Sequence, residues 1–219
     1  MKYSYDSDFK YTIYVDEAGR GCLAGPVFAG AVVWPKSPPK NDTEEWTKIK
    51  DSKKLSRKAR SHLVPYIEQT CISAVGTSSV DEIEKVNILE ATYLAMHRAI
   101  EQCIQQLPNV SADDILLCID GNNFKPFIYH GEYVTHTCIL KGDNTFVGIA
   151  AASILAKVSH DNHILKICSS NPVLNENYGW EKNMCYGTQQ HREGIQLYGV
   201  TNHHRKTFNI CKGAKNYKI

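Results

Sequence analysis

The sequence predicts an α/β protein in which a mixed β-sheet is flanked by helices, with a helical C-terminal part. Three observations predict it. Short apolar runs of strand length stop at acidic residues. One long stretch repeats its apolar residues every three or four positions. The elements follow in the order β-β-β, helix, strand, strand, helix, a pattern that suits a sheet with helices packed on it.

Residues 11–17 form the first core element, a β-rich run ending in two acids, Asp16 and Glu17. Gly19, Gly21 and Gly25 then turn the chain, and a second apolar run at 27–34 completes a hairpin pattern. Residues 35–51 are Pro-rich and charged, a loop leading into a helix. Ser56 caps that helix, which runs to about Glu68 and contains Pro65. Residues 71–76 are a third strand. Ser79 with Glu82, and Asn87 with Glu90, have capping-box spacing. The second box opens a helix whose Leu89, Tyr93, Met96, Ile100, Ile104 and Leu107 share one face, and Pro108 ends it. Residues 115–119 are a continuous apolar run stopping at Asp120-Gly121, as a buried strand does. Residues 134–140 alternate more weakly and stop at Lys141-Gly142-Asp143. Residues 146–158 are Ala-rich and helical, and a further short helix starts near Thr188.

Composition bounds the function. With 219 residues and 42% hydrophobic content, the chain suits one α/β domain with a real core and does not read as disordered. A formal charge of +2 neither demands nor excludes nucleic acid, because a balanced total can hide a basic face beside an acidic site. The eight cysteines include no CxxC knuckle, which argues against structural zinc. Several, such as Cys71, Cys118 and Cys138, lie in apolar runs, as free thiols of a reducing compartment do. The N-terminus has no apolar signal region, and the small-residue stretch at 148–158 is too short to span a bilayer. A soluble cytoplasmic protein without a membrane segment is expected.

Four carboxylates stand where apolar runs end: Asp16 and Glu17, Asp120, and Asp143. Strand ends are held rigidly by their ladders, so side chains leaving them can converge on one crevice. Gathered carboxylates repel one another, and a hard divalent cation removes that penalty. Two such ions about 4 Å apart are the usual apparatus for phosphodiester cleavage. Taken singly, Asp120-Gly121 also suits a turn and Asp143 a helix N-cap. Pattern alone therefore supports an α/β protein with a metal site as one reading.

The segments around these acids carry more. They are 14–21 (Tyr-Val-Asp-Glu-Ala-Gly-Arg-Gly) followed by 23–27 (Leu-Ala-Gly-Pro-Val), 51–55 (Asp-Ser-Lys-Lys-Leu), and 119–122 (Ile-Asp-Gly-Asn). After them come 141–143 (Lys-Gly-Asp) with 149–158, then 186–188 (Tyr-Gly-Thr) with His191, Tyr198-Gly199 and 204–208 (His-Arg-Lys-Thr-Phe). In sequence and order they resemble the type II ribonuclease H family, over a core of about 12–210 within a single domain of 1–219. The resemblance implies a ribonuclease-H-like fold with a five-stranded mixed sheet. It implies that Asp16, Glu17, Asp120 and Asp143 are the catalytic, metal-binding acids, with Mg²⁺ or Mn²⁺ as the ions. It implies an endoribonuclease that hydrolyses the RNA strand of RNA–DNA hybrids and cuts on the 5′ side of a lone ribonucleotide in duplex DNA, leaving a 5′-phosphate and a 3′-hydroxyl. A monomer is expected.

The resemblance also implies substrate-binding residues. Gly19, Arg20 and Gly21 would sense the 2′-hydroxyl at the RNA–DNA junction. Glycines let the backbone approach a sugar, and arginine can hold a phosphate through its planar fork. Tyr186 would stack on the sugar past the junction. Lys53 would lie near the nucleic acid backbone, making binding salt-sensitive. Arg205 is a further candidate for phosphate, whereas structural hydrogen bonding suits His191 and His204. The chain departs from the family pattern in three places: Met184-Cys185 replaces the usual Lys-Gly before the tyrosine, His160 stands before Asp161 where arginine is usual, and Cys22 replaces a common proline. Asp161 reads as structural or as an outer acid.

Two neighbouring functions compete. Type III ribonucleases H share the fold, but lack arginine in the glycine triplet and usually carry an added N-terminal domain, for which a first strand at residue 12 leaves no room. A non-catalytic nucleic-acid-binding relative is expected to lose a carboxylate, and all four are present. A dinucleotide-binding module is weaker still, because Gly19-Arg20-Gly21 lacks the rest of that fingerprint.

Overall fold

A computed structural model describes residues 1–38 and 44–217. Part of the expected 35–51 loop, at 39–43, lies outside the described residues. The strands of the main sheet are β1 (Tyr11–Ala18), β2 (Val27–Val33), β3 (Ile72–Ser78), β4 (Ile115–Asp120) and β7 (Thr135–Ile139), while β5 (Ile128–Tyr129) and β6 (Glu132–Tyr133) form a separate small hairpin. The helices are α1 (Arg57–Thr70), α2 (Val80–Val86), α3 (Ile88–Ile104), α4 (Val147–Ser170), α5 (Pro172–Tyr178), α6 (Trp180–Asn183) and α7 (Gln189–Tyr198).

The five strands run β3-β2-β1-β4-β7, giving the expected mixed sheet. β1, β2 and β3 are an antiparallel meander, whereas β4 lies parallel to β1 and β7 parallel to β4. Three neighbouring strands thus end at one edge. Strand alternation sorts the core into two layers. Ile13, Val15, Ile115, Leu117 and Ile119 pack with α3, and Tyr14, Leu116 and Cys118 pack with α4 and α1. A third cluster joins Cys22, Leu23 and Ala24 to α4 and the C-terminal helices.

Two glycines set how closely the helices approach. A Cβ on Gly30 of β2 would lie 2.2 Å from the Ala152 carbonyl oxygen of α4, and one on Gly76 of β3 would lie 2.1 Å from the Ala95 carbonyl oxygen of α3. The backbone of each helix rests on the sheet at a point only glycine allows.

The caps follow the sequence. Ser79 and Glu82 form a complete capping box, Ser56 receives the Ala59 N–H, and Thr188 receives the His191 N–H. Asn87 caps α3, but Glu90 turns away and pairs with Lys125 at 2.6 Å. The largest departure is α4, which continues to Ser170 instead of stopping near residue 158. Polar residues at 159–163 interrupt the apolar pattern, yet His160 and Asp161 are buried and paired. Helices α5 and α6 and the small hairpin are not among the elements expected from the sequence, although Pro172 in the first turn of α5 and Gly179 just past its end are a helix start and stop signal. The eight cysteines are free thiols. No helix among the described residues is long and apolar enough to cross a membrane.

Gly76→Ala should cost about 2 kcal/mol by forcing α3 off the sheet, lowering Tm by roughly 4–8 °C in a thermal melt. An unchanged Tm would show that α3 can shift freely at this contact.

Candidate active site

The parallel ladder between β1 and β4 ends at Val15 opposite Ile119. Beyond it the two strands part. β1 stays paired with β2 as far as Ala18, and β4 stays paired with β7 through Asp120 opposite Ile139. Asp16 and Asp120 occupy the first positions past the fork. Each follows by two a residue packed against α4, Tyr14 and Cys118, so both side chains leave on the α4 side. Glu17 has the opposite parity. Asp143 arrives from β7 through a single helical turn at 142–144.

Local bonds aim these acids. The Glu17 N–H donates to Asp16 Oδ1 at 2.7 Å, and the Gly142 N–H donates to Asp120 Oδ1 at 2.7 Å. Asn144 Nδ2 donates to Asp143 Oδ1 at 2.9 Å and to Asp51 Oδ2 at 3.4 Å. Burial holds the Asp16 carboxyl well above the usual carboxylate range, reinforced by the charges of Glu17, Asp120 and Asp143. Burial also raises Glu17, with Asp120 adding to the rise, while Arg20 and Lys53 oppose it. Asp120 is raised by burial and then by Asp143, against the bonds from the Gly142 and Asp143 backbone and the charge of Lys53. The four acids therefore share one field.

They form an open group and not a closed cage. Among the described residues, no three His, Cys, Asp or Glu side chains stand ready to enclose an ion. The donor set is nevertheless all hard oxygen, and the mutual repulsion is what a divalent cation relieves. A cavity of about 390 Å³ lined by Gly25, Pro26, Thr77, Asp81, His163 and His203, among others, includes none of the four; Asp16 and Asp143 are buried, and Glu17 and Asp120 are partly exposed at the sheet edge.

The expected substrate-binding residues surround this edge. Lys53 sits in a short turn, Ser52–Lys54, capped where Asp51 Oδ1 receives the Lys53 N–H at 2.9 Å. Ser153 Oγ on α4 donates to Ser52 Oγ at 2.7 Å, and Lys54 contacts Asn144, so the turn is tied to the same elements as Asp143. Gly19 has φ of 87°, a left-handed value that suits glycine. Arg20 is exposed, with Nη1 3.7 Å from Glu17 Oε1. Tyr186 bridges antiparallel to Cys22, and its hydroxyl lies near the Gly19 backbone and the Cys22 thiol. Its ring edge comes within 3.9 Å of where a Gly21 Cβ would sit.

Met184 and Cys185 both adopt left-handed conformations, with φ of 49° and 62°. Two residues with side chains thus occupy a conformation that favours glycine. Asn183 Oδ1 receives the Cys185 N–H at 2.9 Å, and the Cys22 thiol donates to the Met184 carbonyl at 3.3 Å. Both side chains are buried in the C-terminal cluster, which offsets the strain of placing side chains in this conformation.

Arg205 is corrected. It is fully buried and donates to the carbonyls of Gly25 at 2.9 Å, Arg20 at 2.9 Å, Gly19 at 2.7 Å and Pro26 at 3.3 Å. It clamps the glycine turn from within and has no reach to phosphate. Arginine is seldom buried, and here four backbone carbonyls compensate the guanidinium. His191 and His204 are structural, as expected. Trp180 Nε1 donates to His191 Nε2 at 3.0 Å, the two imidazoles meet at 3.1 Å, and His191 Nδ1 bonds the Tyr186 carbonyl at 3.1 Å. Burial lowers their pKa values to about 4 and about 3, so both are neutral.

Comparison with known proteins identifies the family. The family model described as Ribonuclease HII matches residues 13–211, which takes in the acids, the glycine triplet, Lys53 and Tyr186. The ribonuclease HII of Parabacteroides distasonis is 45% identical over 196 residues, covering 89% of this chain and 88% of that protein. Among solved structures, the ribonuclease H2 from Pyrococcus horikoshii OT3 aligns with a TM-score of 0.65 at 22% identity, covering 92% of this chain and 95% of that one. Bst-RNase HIII in complex with Mn²⁺ aligns with a TM-score of 0.62 at 16% identity, covering 84% of this chain and 69% of that one. The two structural likenesses speak to the fold, and the sequence matches to the family. The chain belongs to the ribonuclease HII family and is a hydrolytic endonuclease of the ribonuclease H type.

Proposed function

We propose that this chain, acting as one catalytic unit over 1–219, hydrolyses the RNA strand of RNA–DNA hybrids and nicks duplex DNA on the 5′ side of a single embedded ribonucleotide, leaving a 5′-phosphate and a 3′-hydroxyl. The observation that carries the reading is the fork between β1 and β4. It sets Asp16 and Asp120 side by side, and the chain of β1 runs directly from Glu17 into the Gly19-Arg20-Gly21 turn. Chemistry and 2′-hydroxyl recognition are therefore separated by only a few bonds of rigid backbone.

Asp16, Glu17, Asp120 and Asp143 would hold a pair of Mg²⁺ or Mn²⁺ ions, whose chemistry is to activate a water and to stabilise the leaving oxygen. That a likeness of the fold, Bst-RNase HIII, was solved with Mn²⁺ is consistent with this choice. The rest falls to the chain's own groups. The clamped glycine turn presents backbone to the ribose hydroxyl. Arg20, exposed beside Glu17, offers its fork to a phosphate. Tyr186 gives an aromatic face to the next sugar, and Lys53 neutralises backbone charge next to the acids. Arg20 and the family match both favour type II over type III.

With Mg²⁺, the purified protein should nick a DNA duplex carrying one ribonucleotide immediately 5′ of it. Cutting of long RNA tracts alone would defeat the assignment. Asp16→Asn should abolish the nick while raising Tm in metal-free buffer by roughly 2–4 °C, since it removes a buried repelled charge worth about 1 kcal/mol. The pH dependence has a definite sign. A carboxyl with a raised folded-state pKa contributes stability below its unfolded pKa and loses it as pH rises through the folded one. The advantage of Asp16→Asn in Tm should therefore grow from acid to neutral pH, and an advantage that shrank instead would contradict the shared field.

Tyr186→Ala should cut single-ribonucleotide nicking strongly, by about 1–3 kcal/mol of lost stacking. Unchanged rates would remove it from the site. Lys53→Ala should weaken binding and lower the slope of log affinity against log salt by about 1. An unaltered slope would make Lys53 a solvated surface charge.

A further inference from the structure

Three segments that read the substrate under the proposed function come from distant parts of the chain: the Ser52–Lys54 turn, the glycine turn at 19–21, and Tyr186. All three lead back to one carboxylate on α4. Asp161 is 2% exposed and lies beyond the region where the apolar helix pattern fades.

Arg60 Nη2 donates to Asp161 Oδ2 at 3.2 Å. The Nη1 of the same guanidinium donates to the Ser52 carbonyl at 2.8 Å and the Leu55 carbonyl at 2.7 Å, closing the turn that carries Lys53. Lys157 Nζ bonds Asp161 Oδ1 at 2.8 Å and lies 5.1 Å from the centroid of the Tyr186 ring, over its face. His160 Nδ1 bonds Asp161 Oδ1 at 3.0 Å. The edge of that imidazole fills the place where a Gly19 Cβ would be, 2.5 Å from His160 Cδ2, and its Nε2 lies 3.5 Å from the Cys22 sulfur.

We infer that Asp161 is a positioning residue that locks the lysine turn, the glycine turn and Tyr186 into one frame, and so sets how strictly the enzyme reads a single ribonucleotide. The inference rests on the proposed nicking activity. One carboxylate accepts from three donors, and each donor carries on to a different segment. Charge-assisted bonds in a buried site are strong and directional, so the frame is stiff. An asparagine at 161 keeps the shape but offers an NH₂ where one of these donors needs an acceptor. A donor then faces a donor, and the frame loosens.

The consequence is selective. In duplex DNA with one ribonucleotide, a single 2′-hydroxyl must meet the glycine turn while Tyr186 meets the next sugar. In a continuous RNA strand every sugar carries that hydroxyl, so a displaced turn still finds one. Hub and acids are separate, since Asp161 touches none of the four catalytic carboxylates.

The test compares wild type with Asp161→Asn on a single-ribonucleotide duplex and on a continuous RNA–DNA hybrid, alongside amide hydrogen exchange of the full chain without substrate. Asp161→Asn should lower kcat/KM on the single ribonucleotide by about 10–100-fold, while the hybrid changes by no more than about threefold. Exchange should quicken at the amides of Cys22, Lys53, Lys54 and Tyr186, with the sheet unchanged. Equal losses on both substrates, or faster exchange confined to α4, would overturn the inference. Should Asp161→Asn fail to fold, Lys157→Met keeps the Arg60–Asp161 pair and breaks one arm. It should quicken exchange at Tyr186 and leave the lysine turn alone, and exchange unchanged at Tyr186 counts against the frame. A wild-type enzyme that cut hybrids but ignored single ribonucleotides would cost the proposed function, and the exchange pattern would still decide whether Asp161 holds the three segments together.

Discussion

The repulsion among buried carboxylates at the fork of β1 and β4 is the constraint around which this molecule is arranged. Burial and neighbouring negative charge both raise Asp16 and Asp120. An arrangement of that kind relaxes outward unless the backbone forbids it. Here the backbone does. β1 is anchored to β2 past the fork, β4 is anchored to β7, and α3 and α4 press on the two faces at glycines that admit no side chain. Stability spent on bringing like charges together is the expense expected of the proposed cation site.

The layer proposed to meet the substrate is organised differently. Its residues lie in turns, which have no ladder to stiffen them. Stiffness comes instead from buried side chains reaching in from behind. Arg205 gathers the carbonyls of Gly19 and Arg20 in the glycine turn and those of Gly25 and Pro26 after it, His191 holds the Tyr186 carbonyl, and Asp161 collects donors from three directions. Under the proposed function the exposed groups that would face nucleic acid are few, while the buried polar groups behind them are many. The left-handed Met184-Cys185 pair belongs to this layer. Side chains there fill the C-terminal cluster, so a conformation that suits glycine persists without it.

The sequence by itself determined the strands of the main sheet, their acidic ends and the long face of α3, because period-2 and period-3.6 patterns are local and need no partner to be visible. Through its resemblance to a family it also marked Asp16, Glu17, Asp120 and Asp143, and the glycine turn. Tertiary structure alone decided what lies behind them. His160 and Asp161 of α4 look like surface residues in sequence and are buried in fact, because Arg60 and Lys157, from elsewhere in the chain or a turn away, satisfy Asp161. Arg205 looks like a surface cation and is an internal clamp, because the carbonyls it binds lie some 180 residues earlier. Burial of a charge depends on partners that only folding brings near, and no window of sequence contains both halves of such a pair.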